Sequence, residues 1–83
     1  MDVSVFEVEQ AGCASCAARV RRALADLAPV AEIEIDEDED TATVRLAPGA
    51  SASEDEVNRA LADASHGSGH AYRVKPGSWR LVS

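Results

Sequence analysis

An 83-residue chain that is 46% hydrophobic has the size of one small domain, and its core must be mostly aliphatic because Phe, Tyr and Trp occur once each. Its formal net charge of -7, from 15 acidic and 8 basic residues, argues against a nucleic-acid backbone as partner. The start Met1-Asp2-Val3-Ser4-Val5 lacks a basic segment followed by an apolar stretch, and no apolar run approaches the roughly 20 residues that cross a bilayer. The expectation is therefore a cytoplasmic monomer, with no membrane insertion and with reduced thiols.

Residues 3 to 9, Val-Ser-Val-Phe-Glu-Val-Glu, are β-branched and aromatic and place Phe6 and Val8 on one face of a first strand. Gln10-Ala11-Gly12 breaks that pattern. From Cys16 onward, Ala17, Val20, Leu24 and Leu27 recur at helical spacing, with Arg19, Arg21, Arg22 and Asp26 off the stripe, and Pro29 stops the helix. In residues 30 to 36, Ala31, Ile33 and Ile35 alternate with acids, which predicts a strand buried on one face. A second alternating run, Ala42, Val44 and Leu46, follows an acidic turn, so residues 30 to 47 read as an antiparallel hairpin with its tip at Glu37 to Asp40. Seven of the 15 acids lie between Glu32 and Asp40, and the charge excess is this one local feature.

Ser53-Glu54-Asp55-Glu56 has the spacing of a capping box just before Val57, Leu61 and Ala64 at helical intervals. His66-Gly67-Ser68-Gly69-His70 reads as a flexible loop, and Tyr72 and Val74 flank Arg73 in a short last strand before Pro76-Gly77. Residues 1 to 75 thus form one domain, with 76 to 83 a C-terminal tail that is either loose or an edge addition. Strand, helix, strand, strand, helix, strand is an order that can make a four-stranded sheet with both helices on one face.

Chemistry concentrates in Gly12-Cys13-Ala14-Ser15-Cys16. Joining two cysteines three positions apart would staple no distant parts of the fold, so this is not a disulfide scaffold. Cys13 falls in the loop and Cys16 in the first helical turn, which lets both sulfurs face one point. Soft thiolates select soft ions such as Cu(I) and also bind Zn(II), and a helix N-terminus with Arg19 nearby favours the thiolate. The same spacing serves dithiol redox proteins, and an inert structural pair is the plain alternative; a closed four-ligand zinc site would need a second pair, which the sequence lacks.

The run Glu7-Val8-Glu9-Gln10-Ala11-Gly12-Cys13-Ala14-Ser15-Cys16-Ala17-Ala18-Arg19-Val20 resembles the metal loop of heavy-metal-associated domains, which include copper chaperones and the N-terminal domains of copper-transporting P-type ATPases. The resemblance extends over residues 3 to 75 through element order. It implies an α+β, ferredoxin-like βαββαβ sandwich, a four-stranded antiparallel sheet with two helices on one face, in a metal-binding, non-enzymatic module that holds Cu(I) on Cys13 and Cys16 and hands it to a partner such as a metal-transporting ATPase. Two departures stand out. Family members usually carry Gly-Met before the residue preceding the first cysteine, and Ala11 occupies the Met position here, which predicts a looser loop or an altered metal preference. Zinc and cadmium members often have Asp directly before the first cysteine, where this chain has Gly12, and that tilts the ion toward Cu(I).

Three further residues are candidate neighbours of the site. Tyr72 stands where the family often has an aromatic residue near the metal loop, and reads equally as a core aromatic. His66 and His70 are candidate extra ligands or site neighbours, His70 the better placed beside Tyr72, although histidines in such loops are commonly just solvated. Asp36 to Asp40 lacks the spaced ligands of a calcium loop and reads as a solvated tip. Arg19, Arg21 and Arg22 suit either an acidic partner, with the acidic hairpin facing elsewhere, or an ordinary exposed helix face.

Overall fold

Alternating strands and two amphipathic stripes fold into β1 (Val3–Glu9), α1 (Ala14–Ala25), β2 (Val30–Asp36), β3 (Thr41–Leu46), α2 (Glu54–Ser65), β4 (Arg73–Val74) and β5 (Arg80–Val82). The computed structural model describes residues 3–50, 52–67 and 69–82; Met1 and Asp2, Ser51, Ser68 of the glycine-rich loop and Ser83 of the tail lie outside the described residues. The sheet is antiparallel in the order β2-β3-β1-β4, and β5 also pairs with β1. Phe6 opposes Val44 and Val8 opposes Ala42, so the helix-facing side of the two central strands is a continuous aliphatic surface with one aromatic ring. Cys16, Val20 and Leu24 of α1 and Val57 and Leu61 of α2 close over it as one buried cluster.

Each helix starts where the sequence supplies a side-chain acceptor. In α2 the Ser53 hydroxyl accepts the Glu56 N–H and the Glu56 carboxylate accepts the Ser53 N–H, both at 3.1 Å, the reciprocal box that the spacing predicts. In α1 the capping residue is Cys13 itself. That helix ends as the Leu24 carbonyl accepts the N–H groups of Leu27 and Ala28, immediately before Pro29.

Two features differ from expectation. The β2 strand is less buried than its alternation predicts: Ile33 is half-buried and Ile35 is 39% exposed. The physical reason is position, since β2 is the outer strand of the sheet beyond β3, and a register shift between Val30 and Glu32 interrupts its pairing. The tail is an edge addition. β4 opposes Val8 and Glu9, and β5 opposes Val3, Ser4 and Val5, so the two lie in tandem along one edge of β1 and together fill the fourth position in the sheet. Ser78 bridges the gap, its hydroxyl accepting the Glu7 N–H at 3.1 Å and donating to the Lys75 carbonyl at 2.7 Å. Trp79 then stacks on Phe6 with centroids 4.5 Å apart.

The hairpin tip positions the loop between β1 and α1. Gln10 leaves β1 in the left-handed region (φ 60), turning the chain, and Asp40 at the end of the β2–β3 tip is left-handed as well (φ 56). Asp40 then holds two consecutive amides: its carbonyl accepts the Ala11 N–H at 3.1 Å and its carboxylate the Gly12 N–H at 3.0 Å. Gly12 is packed so tightly here that an added Cβ would lie 2.6 Å from the Asp40 Cα and 2.9 Å from the Asp36 carbonyl oxygen. The acidic tip therefore abuts the cysteine loop, contrary to the expectation that it faces elsewhere.

Leu24→Ala, at a fully buried position, is expected to cost about 2–5 kcal/mol, whereas Leu81→Ala, at a residue 64% exposed, stays within about 0.5 kcal/mol; urea unfolding of the two variants measures the contrast. Gly12→Ala must move backbone at the hairpin tip and is expected to cost about 1–3 kcal/mol, with faster hydrogen exchange at the amides of residues 11 and 12 as the local signature.

Candidate metal centre

Cys13 is in extended conformation (φ -130, ψ 159) and directs its Sγ over the first turn of α1, where it accepts the Cys16 N–H at 3.2 Å. A capping side chain and a residue in the first turn share one end of a helix, which is why the Cys-x-x-Cys spacing brings these two together, with Cα atoms 5.1 Å apart. The sulfurs are joined as a disulfide. This corrects the expectation of free thiols: the structure presents the oxidised form of the dithiol. The Ser15 hydroxyl lies 3.4 Å from the Cys13 sulfur.

The two cysteines differ in access. Cys16 is 1% exposed and belongs to the core cluster, whereas Cys13 is half-buried at its margin. A group approaching from solvent meets Cys13 first. Ala11, at the position where the family usually has Met, is fully buried and hydrogen-bonded to Asp40, so the loop is pinned where the substitution predicts looseness. The glycine before the first cysteine owes its place to the absence of a side chain, as the approach of Asp40 demands.

Of the two histidines, the structure brings His70 to the site. Its Nε2 stands 3.9 Å from the Cys16 sulfur, and its ring stacks on Tyr72 with centroids 5.6 Å apart and planes 9° from parallel. Tyr72 is both a core aromatic, 2% exposed, and a site neighbour. Its buried hydroxyl has no hydrogen-bond partner among the described residues. The Gln10 side-chain carbonyl accepts the Ala71 N–H at 3.1 Å, tying the histidine loop to the cysteine loop. Gly67 and Gly69, both at positive φ, turn that loop back from the end of α2. His66, by contrast, is the exposed C-cap of α2, its N–H directed to the Asp63 carbonyl.

Arg19, Arg21 and Arg22 are exposed on α1, and Glu37 to Asp40 are exposed on the hairpin tip, so the loop end carries acid on one flank while α1 is basic. With the sulfurs joined, no three His, Cys, Asp or Glu side chains among the described residues are grouped as a metal site. No described helix is long and apolar enough to cross a membrane. Asp40 and Gln10, which fix the two loops, carry no motif in the sequence; their partners lie 28 and 61 residues away, beyond the reach of local spacing.

No sequence among the curated proteins matches the chain. Among solved structures, it is similar to oxidised MerP from Ralstonia metallidurans CH34, at 19% identity and a TM-score of 0.56 over 88% of this chain and 97% of that one. It is also similar to the N-terminal domain of a potential copper-translocating P-type ATPase from Bacillus subtilis in the Cu(I)-loaded state, at 24% identity and a TM-score of 0.59 over 94% and 91% of the two chains. At these identities the likeness is one of fold. The heavy-metal-associated domain profile matches residues 5–69, from the middle of β1 to the loop before Tyr72 and through both cysteines, and the chain belongs to that family.

Proposed function

We propose that the reduced chain binds a single Cu(I) ion between Cys13 and Cys16 and passes it by ligand exchange to a partner domain, as a carrier without catalytic activity. The observation that carries this reading is the Cys13 sulfur accepting the Cys16 N–H at the N-terminus of α1. A helix N-terminus stabilises negative charge, so the same donor favours the thiolate that a soft ion requires. Opening the disulfide takes two electrons and two protons from a thiol reductant, and metal binding then releases the thiol protons. A reducing cytoplasm supplies those conditions.

Transfer follows from the unequal burial of the pair. One thiolate of a partner adds to the ion beside the half-buried Cys13 while Cys16, in the core, holds on, and Cys13 leaves; a second partner thiolate then adds and Cys16 leaves. Each step replaces one metal–sulfur bond by another, so no charge is left unsolvated along the way. The partner we favour is a similar domain of a metal-transporting ATPase, and the Bacillus subtilis relative in its Cu(I)-loaded state supports the choice of ion. Zn(II) is the alternative cargo for the same thiolates. The joined sulfurs favour one second reading, a dithiol redox protein that cycles between disulfide and dithiol. In that case reduced protein would react with a disulfide substrate faster than it takes up metal.

Reduced protein titrated with Cu(I) against a competing chelator separates the readings. The expected result is one tightly bound ion per chain, with affinity lowered at least about 100-fold in Cys13→Ser and Cys16→Ser, because each removes one of two soft ligands. A variant that keeps the full affinity would refute the site.

A further inference from the structure

We infer that Asp40 is a positioning residue for metal transfer: its carboxylate, by holding the Gly12 N–H, restrains Cys13 and sets how fast that sulfur lets go of an ion. This rests on the reading that Cys13 and Cys16 bind metal and that Cys13 is the first to leave. The carboxylate accepts the Gly12 N–H at 3.0 Å, and Gly12 is bonded directly to Cys13. The two partners are 28 positions apart, so the tie runs from the end of the hairpin tip to the cysteine loop.

The other contacts between the two loops are made by backbone. The Asp40 carbonyl accepts the Ala11 N–H at 3.1 Å, and the chain at Gly12 lies so close that an added Cβ would be 2.6 Å from the Asp40 Cα. Those contacts do not depend on which side chain stands at position 40, so the carboxylate is the adjustable part of the junction. Asp40 is left-handed (φ 56), a region that Asn and Gly enter at little cost. Either residue can therefore replace it without forcing the tip into a new shape.

The consequence is kinetic. When an incoming ligand displaces Cys13, its sulfur swings away from the ion while Cys16, 1% exposed and part of the core cluster, stays in place. With the Gly12 amide held, the loop backbone follows little, and the sulfur moves chiefly by rotation of its own side chain. Releasing that amide adds backbone motion in residues 11 to 13 and gives the sulfur more ways to leave. The loss of one hydrogen bond to a charged acceptor is enough to change a rate several-fold.

The test loads the reduced wild-type chain, Asp40→Asn, Asp40→Gly and Ser53→Ala with Cu(I) and follows removal of the ion by excess bathocuproine disulfonate in a stopped-flow spectrometer. Asp40→Asn keeps an acceptor oxygen, and Asp40→Gly removes it without left-handed strain. Ser53→Ala is the control for a general loss of stability, because it unmakes the cap of α2. Removal is expected to be at least about fivefold faster in Asp40→Gly and within about twofold of wild type in Asp40→Asn and Ser53→Ala. In Asp40→Gly the Gly12 amide should exchange with solvent at least about tenfold faster, and the Ala11 amide, whose acceptor is backbone, less than about threefold faster. Removal from Asp40→Gly within about twofold of wild type would overturn the inference, as would equal acceleration in Asp40→Asn, which assigns the effect to charge, or in Ser53→Ala, which assigns it to overall stability. Each of those results leaves the two-thiolate site standing, whereas a reduced wild-type chain that holds no Cu(I) through its thiols removes that reading and this inference with it.

Discussion

Asp40 is the residue through which the two ends of the site hold together. Its carbonyl and carboxylate accept the successive N–H groups of Ala11 and Gly12, and the backbone approach there leaves no room for a side chain at residue 12. Cys13 follows directly, so the geometry of the first sulfur is inherited from a hairpin tip whose own shape depends on a left-handed residue and on the Asp36 carboxylate accepting the Glu39 N–H. A short loop between a strand and a helix would otherwise sample several conformations. The pinning also takes the place of bulk: Ala11 is small, but it is buried and hydrogen-bonded.

From Cys13 the constraint passes into the helix. The sulfur caps α1, Cys16 lies one turn on in the core, and the helix stripe that continues through Val20 and Leu24 packs on β1 and β3. The site is thus anchored on one side by the domain's main cluster and on the other by the hairpin. A second loop closes over it, with Tyr72 in the core and His70 stacked on its outer face. Cys13 is half-buried and Cys16 is buried.

Much of this was legible in the sequence. The helical stripe, the Ser-x-x-Glu cap, the alternating hairpin and the placement of two cysteines at a strand-to-helix junction all depend on residues within a few positions of one another, where spacing is informative. What escaped was long-range. The exposure of Ile35 follows from β2 being an outer strand, and alternation alone does not say which strand is outermost. The contact of Asp40 with Gly12 and the Gln10–Ala71 tie each join positions separated by dozens of residues, and the tail, which the sequence leaves between a loose end and an edge addition, is resolved by the pairing of Arg80–Val82 with β1. The disulfide form lies beyond spacing too, because the same pair is compatible with both redox states.

The acidic tip abuts the cysteine loop, and Arg19, Arg21 and Arg22 are exposed on α1. The ligands themselves carry the central claim, that Cys13 and Cys16 together hold a soft ion once reduced. X-ray absorption at the copper edge of the reduced, Cu(I)-loaded chain tests it most directly. The account predicts a first shell of two sulfur scatterers per copper; a first shell of oxygen and nitrogen alone would contradict it.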